Sequence, residues 1–187
     1  ALKGFVSQKT DFKYEIVIHD DASTDNTKEI IERYRKNYPN IIKVIYEKEN
    51  QYSKDARIIS FMNPYMNGKY VAFCEGDDYW CDKNKLQIQV DYMEKHDNCS
   101  FCTHSFLKID SNNKLINEEV PFAGNKKIKI CDYLENKYNF QTATILCRNK
   151  YIKSLPSYYY NATIGDLPQI LYFLSQGYGY YINKKMS

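Results

Sequence analysis

The sequence predicts an α/β protein built on a mostly parallel sheet flanked by helices. Two observations carry this. Short apolar runs alternate with amphipathic stretches through the first hundred residues, as strand–helix–strand units require. Two of those runs end abruptly in clustered acids, and the carboxyl ends of strands are where open α/β sheets place their ligand groups. The size agrees: 187 residues, 43% of them hydrophobic, suffice for one core and suggest a single domain over 1–187.

The elements follow in order. "YEIVIH" (14–19) reads as a buried strand. Ile30, Ile31, Tyr34 and Tyr38 then share one helical face, closed by Pro39. "IIKVIY" (41–46) is a second strand. Residues 53–66 read as a helix with Ala56, Ile59 and Met66 inward. "KYVAFCE" (69–75) is a third strand, and Leu86, Val90 and Met93 mark a helix over 83–96. Strands are expected at 100–109, at 143–148 and at the closing "YGYYI". Leu167, Ile170, Leu171 and Leu174 mark the last helix, with Gly177 placed to stop it. Residues 110–140 are polar and read as a surface excursion.

Bulk properties narrow the function. The net charge of +3 comes from 26 basic and 23 acidic residues, which argues against a nucleic-acid partner. No stretch approaches the roughly 18 apolar residues of a membrane helix, so any membrane association would be peripheral. The six cysteines contain one CxxC (Cys99, Cys102), and no second pair completes a zinc site. They read as buried reduced thiols of a cytoplasmic protein, located in the cytoplasm or at the inner face of the cell membrane. Tyrosine is abundant at 19, either as compositional drift or as a binding surface. The run Tyr158–Tyr160 reads equally as a platform for sugar rings or as a packed loop. His19, His96 and His104 have no nucleophilic partners nearby in sequence and read as packing or helix-end residues.

"VIHDDASTDNT" (17–27) poses the first chemical question. Asp21, Ser23, Asp25 and Glu32 could fill positions 1, 3, 5 and 12 of a calcium loop, but Asn26 stands where glycine is needed and a strand enters where a helix should. Helix capping by Asn26 with Glu29 explains the later part. It leaves the Asp20–Asp21 pair unexplained. "VAFCEGDDYW" (71–80) repeats the arrangement with Glu75, Asp77 and Asp78, and Gly76 is expected to provide a tight turn. Three acids in four residues repel one another, and a divalent cation relieves that repulsion. Hard oxygen ligands suit Mg²⁺ or Mn²⁺, which commonly bridge carboxylates to a diphosphate.

Together, "EIVIHDDASTDNT" and "GKYVAFCEGDDYW" resemble the signatures of family 2 glycosyltransferases, with the GT-A, Rossmann-like nucleotide-sugar fold. The stretch "KDARIISFMNPYMNGKY" resembles that family's helix with an Ala-Arg pair. "FQTATILCR" and "IGDLPQILYFLSQGYGYYINKKMS" resemble the acceptor half of its bacterial polysaccharide enzymes. The resemblance spans nearly the whole chain and divides it into a nucleotide-sugar half (1–100) and an acceptor half (101–187).

What the resemblance implies is specific. Asp21 would accept hydrogen bonds from the nucleotide base, and Arg57 and Lys54 would lie near the nucleotide or diphosphate. Glu75 would contact sugar or ribose, with Asp77 and Asp78 on the metal. Asp166 would be the general base, and Trp80, Gln141 and Thr142 would line the acceptor pocket. The implied reaction is inverting, hexosyltransferase-like transfer from a nucleotide-diphosphate sugar to a glycan or lipid-linked acceptor, in cell-surface polysaccharide synthesis. Two departures stand out. The family often has Glu-Asp where this chain has Gly165-Asp166, and residues 1–13 correspond to the end of the helix after the family's first strand. The chain thus reads as truncated at its N-terminus and is expected to bind donor poorly alone. A nucleotidyltransferase of related fold and a non-catalytic nucleotide-sugar-binding protein are the alternatives.

Overall fold

A computed structural model describes residues 1–54, 57–136, 138 and 140–187. The chain forms two compact units. One holds Ala1, Lys3–Asp11 and Tyr70–Ser187, and the other holds Leu2 and Phe12–Lys69. A short helix, α1 (Leu2–Val6), opens the chain. A Cβ at Gly4 would sit 2.5 Å from the Trp80 carbonyl oxygen, so only glycine permits that approach.

The smaller unit is a β–α–β arrangement: β1 (Ile16–Asp20), α2 (Thr27–Asn37) and β2 (Ile42–Tyr46), followed by α3 (Ile58–Met62). β1 and β2 pair in parallel, with Ile16 opposite Ile42 and Asp20 opposite Tyr46. Ile16, Ile31, Ile42, Ile59 and Met66 are buried. Ile30 and Tyr38, expected to point inward, are exposed. The expected helix at 53–66 is broken into 3₁₀ turns at Tyr52–Lys54 and Asn63–Tyr65 around α3. Pro64 accounts for the later break, because its ring cannot continue an α-helical ladder. Ala56 lies outside the described residues.

The larger unit carries β3 (Tyr70–Ala72), α4 (Lys85–Glu94), β4 (Cys99–Ile109), β5 (Leu115–Glu119), β6 (Lys126–Ile128) and α5 (Ile130–Asn136). β7 (Leu146–Arg148), α6 (Asn149–Ile152), α7 (Ser157–Asn161), α8 (Asp166–Ser175) and β8 (Tyr178–Lys185) complete it. The sheet order is β3–β7–β4–β8–β6, with β5 on β4. β4 and β8 are parallel and the other pairs antiparallel, so the α/β class holds with a mixed sheet in this unit.

β4 is its axis, buried over its first eight residues, with its Phe101 ring 5.9 Å from that of Phe173 and its Ser105 hydroxyl hydrogen-bonded to that of Tyr181. Buried Arg148 joins β7 to α4. Its Nε donates to the Cys99 carbonyl at 2.9 Å, and Nη2 donates to Met93 and His96 carbonyls at 2.9 and 3.0 Å. A cation on the last carbonyls of a helix is favourable both as a cap and against the dipole.

Several expectations change here. Residues 110–140 hold two strands and a helix. β5 pairs through its backbone while Leu115 and Ile116 stay exposed, so no apolar alternation announces it. In α8, Phe173 is buried and Leu167 is exposed. Gly177 matters for close approach, since a Cβ there would meet the Asn98 carbonyl oxygen at 2.2 Å. Cys99, Cys102 and Cys147 are buried free thiols, but Cys81 and Cys131 are exposed.

Candidate active site

The chain leaves the sheet after Ala72, held at Phe73, whose N–H donates to the Ile145 carbonyl at 3.2 Å. The acid turn follows, closed by the Asp78 N–H on the Glu75 carbonyl at 3.3 Å. Gly76 is not needed for this turn. Its φ is not positive, and an added Cβ would meet nothing within 4 Å.

The electrostatics of the turn are unfavourable as it stands. Dehydration pushes the Glu75 carboxyl up, and Asp78, Asp77 and Asp166 push it further. Asp78 is pushed up by burial and by Asp77, against the opposing N-terminal amine. Among the described residues, no lysine or arginine forms an ion pair with Glu75, Asp77 or Asp78. Asp166, exposed at the first position of α8, is thus within electrostatic reach of a turn far away in sequence. Its charge also raises the Tyr133 phenol, after burial. Tyr133 went unnoticed in the sequence, because nothing in the 110–140 composition marks it.

Among the described residues, no three His, Cys, Asp or Glu side chains are arranged to hold a metal ion. The donor set nonetheless fits a hard divalent cation: carboxylates only, mutually repelling, and without a lysine or arginine ion pair among the described residues.

Trp80 is built into the wall behind the turn, 8% exposed. Its Nε1 donates to the Ala143 carbonyl at 3.0 Å, and its ring meets Phe5 edge-on at 4.6 Å. Gln141 and Thr142 are partly exposed at the start of the 3₁₀ turn Thr142–Thr144. The Thr144 N–H and hydroxyl both donate to the Gln141 carbonyl, at 2.9 and 2.7 Å.

The smaller unit holds the other predicted residues. Both oxygens of Asp21 accept backbone N–H bonds, from Gln51 at 2.7 Å and Tyr52 at 2.9 Å. Partial dehydration opposes them, but these bonds, with help from His19, hold its carboxyl below the usual range. Asp21 therefore ties the end of β1 to the loop after β2. Ala22 beside it adopts φ 60°, the left-handed region that side chains avoid. Asn26 makes no side-chain cap; the Thr27 N–H instead donates to Asp25 Oδ1 at 2.9 Å. Glu32 accepts from the Tyr46 hydroxyl at 2.6 Å and pairs with Arg35 at 3.1 Å, so the calcium-loop ligands are dispersed. Lys54 forms an exposed ion pair with Glu49, and Arg57 precedes α3. His19 packs on Phe61 with Nε2 3.3 Å from Glu47, a packing role. His96 Nδ1 lies 2.7 Å from the Tyr92 carbonyl, at the helix end as expected. In the Tyr158–Tyr160 run, Tyr159 is buried and its neighbours are exposed.

The sequence model of glycosyl transferase family 2 matches residues 1–155. The chain belongs to this family. An uncharacterized protein of Mycobacterium tuberculosis (strain H37Rv) is 33% identical over 160 residues, which is 84% of this chain and 43% of that protein. A Bacillus subtilis protein named as a teichuronic acid biosynthesis glycosyltransferase, TuaG, is 38% identical over 88 residues, 47% of this chain and 33% of its own length. The chain thus spans less than half the length of these relatives. The CTP complex of CMP:2-keto-3-deoxy-manno-octonic acid synthetase superposes with a TM-score of 0.51 at 9% identity, over 98% of this chain and 78% of that one. That likeness bears on the fold alone. No helix among the described residues is long and apolar enough to cross a membrane.

Proposed function

We propose that the protein is an inverting, metal-dependent glycosyltransferase that passes a sugar from a nucleotide-diphosphate donor to a glycan or lipid-linked acceptor of cell-surface polysaccharide. The observation that carries this is the electrostatic reach of Asp166 to Glu75, beside Asp77 and Asp78. A carboxylate to take the acceptor's proton and acids to hold a metal–diphosphate are the two parts that such a displacement needs. The relative named for teichuronic acid biosynthesis supports the polysaccharide assignment.

Asp77 and Asp78 would hold Mg²⁺ or Mn²⁺, which when bound neutralises the leaving diphosphate. Glu75 would orient the donor's sugar or ribose. Asp166 accepts the proton of the attacking hydroxyl, and a single displacement inverts the anomeric carbon. Gln141 and Thr142 offer polar groups to the acceptor, backed by buried Trp80. In the smaller unit, the nucleotide contacts are assigned to Asp21, Lys54 and Arg57. Asp21 retains free lone pairs beyond its two backbone bonds.

The full-length protein, screened against nucleotide sugars with Mn²⁺, tests this. Asp166→Asn should lower transfer by about 10²–10⁴-fold, the usual contribution of a positioned base. Undiminished transfer in that variant, or pyrophosphate release from a nucleoside triphosphate and a sugar, would overturn the reading.

A further inference from the structure

Lys85 is fully buried at the first position of α4, with Gln89 fully buried one turn later. Its Nζ donates to Gln89 Oε1 at 2.7 Å and lies 4.4 Å from the centre of the Trp80 ring. Among the described residues, no carboxylate pairs with it. Gln89 Nε2 in turn donates to the Thr144 carbonyl at 2.9 Å and the Cys102 carbonyl at 3.4 Å. Trp80 Nε1 reaches the Ala143 carbonyl. One buried amine therefore has two arms. The arm through Trp80 ends the acid turn, the arm through Gln89 enters the Thr142–Thr144 turn, and Ala143 and Thr144 are adjacent.

We propose that Lys85 is a positioning residue that fixes the acid turn and the Gln141–Thr144 turn relative to each other. The proposal rests on the glycosyltransferase reading only for its catalytic consequence. Burial is expensive for an amine with no counter-ion, and here it lowers the Lys85 pKa to about 7. The groups facing it are Cys74 after β3, Cys102 and His104 on β4, and Trp80, none of which supplies a stable negative charge. An apolar side chain of similar length would serve packing better. What methionine cannot do is hold Gln89 by its oxygen, leaving the amide free for Thr144, while also meeting the indole face.

Lys85→Met tests this with two readouts. The melting temperature is not one of them, because relief of the buried amine and loss of the donor to Gln89 Oε1 oppose each other. Hydrogen exchange at the Thr144 and Ile145 amides, which bond within the turn, should speed up by about tenfold or more while β4 stays protected. In the enzyme assay, transfer to acceptor should fall about 10–100-fold, as for a small misplacement of reacting groups. Metal-dependent donor hydrolysis, which needs no acceptor, should persist. If Lys85→Met does not fold, Lys85→Gln keeps a donor toward Gln89 but is shorter and uncharged, and it should speed exchange in the turn in the same direction. Unchanged exchange in the turn overturns the proposal, as does equal loss of hydrolysis and transfer. Faster exchange in a protein whose wild type transfers no sugar would support the tether and sink the enzymatic reading instead.

Discussion

At the end of β1, Asp21 gives both carboxylate oxygens to backbone amides, and Asp25 takes another. At the turn after β3, Glu75, Asp77 and Asp78 face one another and Asp166 with no lysine or arginine paired to them among the described residues, and the N-terminal amine only partly offsets the repulsion at Asp78. The two stretches use much the same residues and reach opposite electrostatic states. Amide donors stabilise the charged form and pull Asp21 down, whereas like charges and burial push Glu75 and Asp78 up. Compensated acids anchor a loop. Uncompensated acids destabilise the chain that carries them, and such a cost is usual where a cation or substrate is to be met.

The largest expected effect tests the uncompensated turn. Asp77→Asn/Asp78→Asn should abolish Mn²⁺ binding by titration calorimetry and lower transfer by about a hundredfold or more, since a metal ion supplies several kcal/mol to such a reaction. The same variant should melt at the same temperature or higher, because repulsion is removed. Full metal affinity without these aspartates would erase the contrast.

Asp21→Asn should act the other way. Two charge-assisted backbone bonds are weakened, and with partial exposure discounted the loss is about 1 kcal/mol, a few degrees of melting temperature. The pH dependences should also oppose each other. Asp21 titrates below its ordinary 3.8 in the fold, so its stabilisation is present at neutral pH and fades as pH falls through that depressed value. Glu75 and Asp78 titrate above their ordinary 4.5 and 3.8. The folded state then binds protons first, and their contribution to stability improves as pH falls from above the raised values to the ordinary ones. Thermal melts of Asp21→Asn and Glu75→Gln between neutral and acid pH should diverge from the parent in opposite directions. Parallel curves would show that the strand ends are electrostatically alike.

Much of this was legible in the sequence because periodicity reports burial. β1, β2, α4, β4 and β8 lie close to where apolar spacing put them. The signal failed where structure rests on backbone pairing or on buried polar groups. β5 exposes Leu115 and Ile116, and Asp25 displaced Asn26 as the capping group by one residue. At the site, both acid clusters were visible as letters. Which of them was already neutralised was not, because the donors to Asp21 are the amides of Gln51 and Tyr52, and a backbone amide leaves no mark in a sequence. Lys85 and Gln89 were missed for a related reason. They lie on the same face as Leu86 and Met93, but polar residues in an apolar stripe read as interruptions.

The smallest effect separates the two strand ends by backbone alone. Ala22 holds φ 60° where glycine would be at ease, and Gly76 sits at a φ that any residue adopts, with open space around its Cα. Leaving the left-handed penalty behind is worth about 1–2 kcal/mol, and the extra freedom glycine gives the unfolded chain costs about 0.4–1 kcal/mol. Ala22→Gly should therefore stabilise by roughly 0.5 kcal/mol. Gly76→Ala should stabilise by about 0.4–1 kcal/mol, through the unfolded state only. Urea unfolding of the two variants reads both, and the slope should stay constant. A destabilised Ala22→Gly would mean that the alanine methyl does packing work at the end of β1, and the strain argument at that strand end would fall.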